Sequence, residues 1–205
     1  MAHDPVWKGE PRTLAAEREG TPLVQARRAA ITDSAIRGFA RTGYHATPVA
    51  EIARESGFSQ AYVFRLFTDK LTLFVAAIDR CFERVRETIA DGAYRAADSS
   101  PASILNSMGQ AYASLIADRD LLMIQVHAQS ASDIPEVRDA MRRGLATVVE
   151  MAQERSRAEP EAVQSFMARG MLCHLVVTAG LNSVDAGWAR TLSAGLTHPD
   201  TIEGA

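Results

Sequence analysis

The sequence predicts an all-α protein in two parts, on three observations. No segment alternates apolar and polar residues for long, which removes the half-buried strand. Apolar residues recur instead at helical spacing, as Ile31, Ala35 and Phe39 do along one face. Proline and glycine punctuate the pattern. Thr21-Pro22, Thr47-Pro48 and Ser100-Pro101 each pair a capping residue with a proline at the first helical position, while Gly43 and Gly57 mark a stop and a turn.

Taken in order, residues 1–20 are polar, contain two prolines and hold no sustained period, which marks a mobile arm. The first helix opens at Thr21-Pro22 and runs to about Thr42, where Gly43 ends it. A short helix over 48–55 places Val49, Ile52 and Ala53 on one face. Ser59 caps a third helix over 60–67, and Asp69 caps a long amphipathic fourth over 70–94. Further helices are expected over 102–117, 119–130, 134–157, 161–183 and 185–194. Pro135 and Pro160 stand at helix starts, where a missing N–H costs little. The expected organisation is an arm (1–20), a first domain (21–69) and a larger helical domain (70–205).

Composition sets limits on function. The chain has 205 residues, 47% of them apolar and 23% charged, enough to build a full core. Net charge is −3, but residues 1–80 carry 11 Lys and Arg against 9 Asp and Glu, and the remainder carries 11 against 16. The N-terminal end is therefore the one that faces phosphate. The nearly charge-free run over 170–183 is too short to cross a bilayer, and nothing near Met1 reads as a signal peptide. Cys81 and Cys173 lack metal-ligand spacing and read as reduced, buried thiols of a cytoplasmic protein. No metal site and no cofactor motif is apparent, and no membrane partner is expected.

The stretch "SGFSQAYVFRLFTDK" over 56–70 carries the chemistry. Two short helices around Gly57 form a helix-turn-helix, whose second helix enters the DNA major groove. Ser59 and Gln60 stand where free N–H groups attract phosphate. Tyr62 offers a ring face to a thymine methyl and a hydroxyl to phosphate or a base edge, and Arg65 one turn on pairs with phosphate. Lys70 begins the fourth helix, where a cation opposes the macrodipole, which points to an anion nearby. The plainer alternative is that Arg65 and Lys70 are solvated charges. Phe58, Val63, Leu66 and Phe67 read as core.

The run over 39–74, with Phe39, Gly43, Thr47, Val49, Ile52, Ala53, Gly57, Ser59, Phe67, Lys70 and Leu73 in register, resembles the N-terminal domain of TetR-family transcriptional regulators. Ile31 and Ala35 fall where that family's first helix puts core residues. The resemblance implies that Thr47 binds phosphate while capping its helix, that Gln60, Ala61 and Tyr62 face base edges, and that Lys70 contacts the DNA backbone. The chain departs from the family pattern at Ala61, usually Gly or Pro, and at Leu71, often acidic. It departs also at Phe64, usually Tyr, and at Leu66, usually His or Tyr. Two phosphate-contacting groups are thereby lost, a loss that Arg65, Arg54 and the group Arg18, Arg27 and Arg28 are placed to offset.

A helix-turn-helix monomer reads too few base pairs, so a homodimer on a palindromic operator of double-stranded DNA is expected. The 161–183 helix has two apolar faces: one with Val163, Met167, Gly170, Met171, His174 and Leu181, the other with Phe166, Cys173, Val177 and Gly180. Two faces need two partners. The expected dimer interface is Phe166, Gly170, Cys173, Val177 and Gly180, with Trp188 at its edge. The resemblance implies a four-helix bundle between subunits, and a small apolar effector held in the larger domain that releases DNA. Ile78, Phe82, Met108, Tyr112, Met123, His127, Met171 and His174 are the candidate lining, each equally readable as core packing. Without an effector, the second domain would only dimerise. An enzyme on a helical scaffold is disfavoured, because no phosphate loop, metal cluster or nucleophile motif is apparent.

Overall fold

The computed structural model describes residues 21–196, and no strand occurs among them. The expected arm at 1–20, Arg18 included, lies outside the described residues. The helices are α1 (Pro22–Ala46), α2 (Val49–Ser56), α3 (Gln60–Leu66), α4 (Lys70–Tyr94), α5 (Pro101–Leu115), α6 (Arg119–Ser130), α7 (Pro135–Ser156), α8 (Pro160–Thr178) and α9 (Gly187–Ser193). A single 3-10 turn, Leu181–Ser183, precedes α9.

The caps explain most boundaries. Ser59 accepts from the Tyr62 N–H at 3.2 Å and Asp69 from the Thr72 N–H at 2.7 Å. Ser100 does the same for Ser103 at 3.2 Å, with Pro101 at the first helical position. Gly43 breaks α1 with φ 77° and ψ 177°, so the last residues of that helix form a separate turn. One boundary differs from expectation: α8 ends at Thr178 rather than near 183, because Gly180 takes the left-handed conformation (φ 63°) and starts a new turn.

α1, α2 and α3 close over Ile31, Phe39, Ile52, Val63 and Phe67, all fully buried. α1 and α2 approach closely at Gly38, where a Cβ would stand 2.8 Å from Ile52. Arg37 and Arg41 of α1 bind Glu55 of α2 at 2.5 and 2.7 Å. Burial pushes the Glu55 pKa up, but the hydrogen bonds from Arg41 and Arg37 outweigh it and leave the carboxyl below its ordinary value. α4 joins the two parts. Its Phe74 meets Phe39 edge-on at 4.7 Å, and further along it packs against α5 and α7. α6 lies on α1. Cys81 and Cys173 are both buried and unbridged, and burial raises the Cys81 thiol to about 12. Among the described residues, no helix is long and apolar enough to cross a membrane.

Candidate nucleic-acid interface and inner cavity

α3 turns Val63 inward and leaves Gln60, Ala61, Phe64 and Arg65 exposed, with Tyr62 half-buried. The Tyr62 ring stacks on Phe58 (5.3 Å, 18° between planes), and the Arg65 guanidinium lies 4.5 Å from its centroid. Arg27 of α1 donates to the Tyr62 hydroxyl at 3.4 Å, and this bond pulls the phenol pKa down. In the free chain, then, the ring face expected to be open to a thymine methyl is engaged by Phe58 and Arg65. Arg28 donates to the Leu66 carbonyl at 2.6 Å and lies 4.2 Å from the Phe67 ring centroid. Both arginines thus tie α1 to α3. Phe64, 38% exposed, is a large apolar group left facing solvent on α3.

Two expectations change here. Thr47 does not cap α2: Pro48 is the N-cap, and the buried Thr47 hydroxyl donates back to the Gly43 carbonyl at 2.6 Å and contacts the Thr42 hydroxyl at 2.7 Å. The same carbonyl also accepts the Thr47 backbone N–H at 3.3 Å, so the threonine closes the last turn of α1 with both its groups. Lys70 is not a free cation at the start of α4. Its Nζ donates to the His45 carbonyl at 3.1 Å and lies 5.2 Å from the Tyr44 ring centroid, while partial burial lowers its pKa. That internal acceptor takes one of the three N–H donors of the ammonium and leaves the others available to a phosphate.

The larger part contains a cavity of about 310 Å³ bounded by α4, α5, α7 and α8, with Gln125 reaching in from α6. Phe82, Val85, Ile89, Leu105, Leu145 and Val148 make an apolar floor. Phe82 fits because α7 carries Gly144, whose Cβ position the ring would overlap. A polar chain closes one side. The Tyr112 hydroxyl donates to Gln125 Oε1 at 3.2 Å and lies 2.6 Å from His174 Nε2. Having spent its one proton on Gln125, Tyr112 accepts from His174, which is then the neutral Nε2–H tautomer. Its Nδ1 is buried with no partner among the described residues, and burial drops the His174 pKa to about 4.

Of the expected lining, Phe82, Tyr112 and Met171 do line the cavity, and His174 stands behind Tyr112. Ile78 and Met108 belong to the solid core. Met123 is half-buried and does not reach the cavity. His127 packs instead against Gly43 of α1. The α8 face expected to dimerise is turned the other way. Phe166, Gly170 and Cys173 line the cavity, Val177 packs on the core, and Gly180 is the terminating turn. The apolar groups that α8 and α9 present outward are Leu175 (52% exposed) and Trp188 (58%), with Met171 partly exposed at the cavity edge. Lining residues missed from the sequence include Val85, Ile89, Asn106, Gln110, Gln125 and Arg169. Asn106 and Gln110, spaced one turn apart on one helix, were the signal for the rim.

Comparison with known proteins follows the same division. Residues 31–77 match the model of bacterial regulatory proteins, tetR family. The fold is similar to a transcriptional regulator FadR from Bacillus subtilis in complex with stearoyl-CoA: TM-score 0.63, 16% identity, covering 80% of this chain and 94% of that one. It is similar to a TetR-like transcriptional regulator from Rhodococcus sp. RHA1: TM-score 0.59, 20% identity, covering 81% and 91%. A protein from Saccharomonospora viridis in complex with choline is also similar: TM-score 0.58, 19% identity, covering 82% and 92%. No curated protein matches the chain in sequence.

Proposed function

Since the chain belongs to the TetR family of transcriptional regulators, we propose that it binds a palindromic operator as a homodimer through α3 and is released by a small molecule held in the inner cavity. Exposed Gln60, Ala61 and Phe64 and the half-buried Tyr62 are the base-reading set, and Arg65 and Lys70 the phosphate contacts. Dimerisation runs through the outward face of α8 and α9, around Leu175 and Trp188, which a monomer leaves in water. Released from its operator, the protein no longer blocks transcription, which makes it a repressor.

One observation carries the coupling. α4 starts at Lys70 beside α1, contributes Leu73 and Phe74 to the first core, and then lines the cavity with Phe82, Val85 and Ile89. A rigid helix that touches both sites is the lever by which a ligand shifts the two α3 helices off the groove spacing of about 34 Å. The cavity with its Tyr112–Gln125–His174 chain favours a ligand-responsive domain over one that only dimerises. Similar folds solved with stearoyl-CoA and with choline support the same reading. Selection of bound DNA from random oligonucleotides tests it. A palindromic consensus is the expected outcome, and enrichment of no sequence would refute operator recognition.

A further inference from the structure

The opening of the cavity has a chemistry that its floor lacks. Asn106 and Gln110 stand one turn apart on α5, Ser165 and Arg169 one turn apart on α8, and all four are exposed while lining the cavity. They form a polar rim where two helices meet solvent. The rim is uneven in charge. Among the described residues, Arg169 is the one charged side chain of the lining, and no carboxylate pairs with it. The Ser165 hydroxyl already donates to the Glu161 carbonyl at 2.9 Å and has only lone pairs to spare. The side-chain amides of Asn106 and Gln110 offer N–H donors to the same cavity that Arg169 lines.

Resting on the ligand-binding reading above, we propose that the cavity takes a monocarboxylic acid with an apolar body, its carboxylate held at the rim by Arg169 with Asn106 and Gln110. The apolar body replaces water over the floor, while the carboxylate stays where solvent still reaches it, so no unpaired charge is buried. A quaternary ammonium head would find the rings of Phe82, Tyr112 and Phe166, but it would meet a like charge at entry and no carboxylate. The volume, about 310 Å³, lies at the small end for ligand sites and fits a medium chain.

Calorimetric titration of the full chain with decanoic acid, decan-1-ol and decyltrimethylammonium, each below its micellar concentration, tests this. The acid should bind about tenfold tighter than the alcohol, the scale of one charge-assisted hydrogen bond, and the ammonium should bind weakest. Arg169→Gln should bring the acid down to the alcohol's affinity without changing the alcohol's, and Arg169→Lys should restore most of the difference. Equal binding of acid and alcohol, or an unchanged acid affinity in Arg169→Gln, overturns the carboxylate assignment and leaves the ligand-binding reading standing. Binding by none of the three overturns both.

Discussion

His127 of α6 lies against Gly43 of α1, so closely that a Cβ at Gly43 would stand 3.0 Å from the imidazole Nδ1. The contact joins the DNA-binding unit to the larger part at the point where α1 breaks. Gly43 also has φ 77° and ψ 177°, a conformation essentially closed to other residues. Gly43→Ala should therefore destabilise the protein by about 1–3 kcal/mol in urea unfolding. Gly57→Ala, also at positive φ but in open space, should cost about 1 kcal/mol. Equal losses would show that neither the extended positive-φ conformation at Gly43 nor the His127 contact adds strain beyond that at Gly57.

For Tyr62 and Lys70 different DNA phenotypes are expected. Tyr62→Ala removes a base reader and should relax sequence preference by about 1–3 kcal/mol of discrimination. Lys70→Ala should weaken all sequences alike and lower the salt slope by about one unit. Binding isotherms across a salt series on matched and scrambled sites distinguish the two. An unaltered double variant would remove this helix from the interface.

The two faces of α8 should separate dimerisation from ligand binding. Leu175→Asp, on the outward face, should give monomers in sedimentation velocity and a collapse of operator affinity, since the half-sites would no longer be bound together. Phe166→Ala, on the inward face, should stay dimeric and enlarge the cavity. Monomers from Phe166→Ala alone would reverse the assignment.

His174 should make stability pH-dependent. Its folded pKa is about 4 against an ordinary 6.5, so the unfolded chain takes up a proton first as pH falls. Stability should drop from about pH 6.5 to about pH 4, by on the order of 3 kcal/mol, and level off below the folded pKa. Stability against pH should be flatter over that window in His174→Gln. Parallel curves would mean that the imidazole titrates alike in both states.

Much of this was legible in the sequence for local reasons. Ser59, Asp69 and Ser100 cap by accepting from the backbone N–H three residues on, so their roles need no tertiary information. The helix-turn-helix spacing is similarly local. The faces of α8 are another matter. When a helix is apolar on two sides, periodicity finds the stripes through Met167 and Phe166 but not that both turn inward, while Leu175, in neither stripe, faces out. Depth along α4 was equally hidden, since Ile78 and Phe82 share a face and only Phe82, laid over Gly144, reaches the cavity. His127 looked like a pocket residue until α6 was seen to pack on α1. Arg169, a charge on an otherwise apolar helix, acquires meaning only once the rim is assembled in space.

The most direct test of the central claim is operator affinity at fixed salt, measured with and without decanoate at a concentration that calorimetry shows to saturate the cavity. Coupling through α4 predicts weakening of about 5- to 150-fold, the range that 1–3 kcal/mol of linkage produces. A saturated cavity with unchanged operator affinity would contradict it.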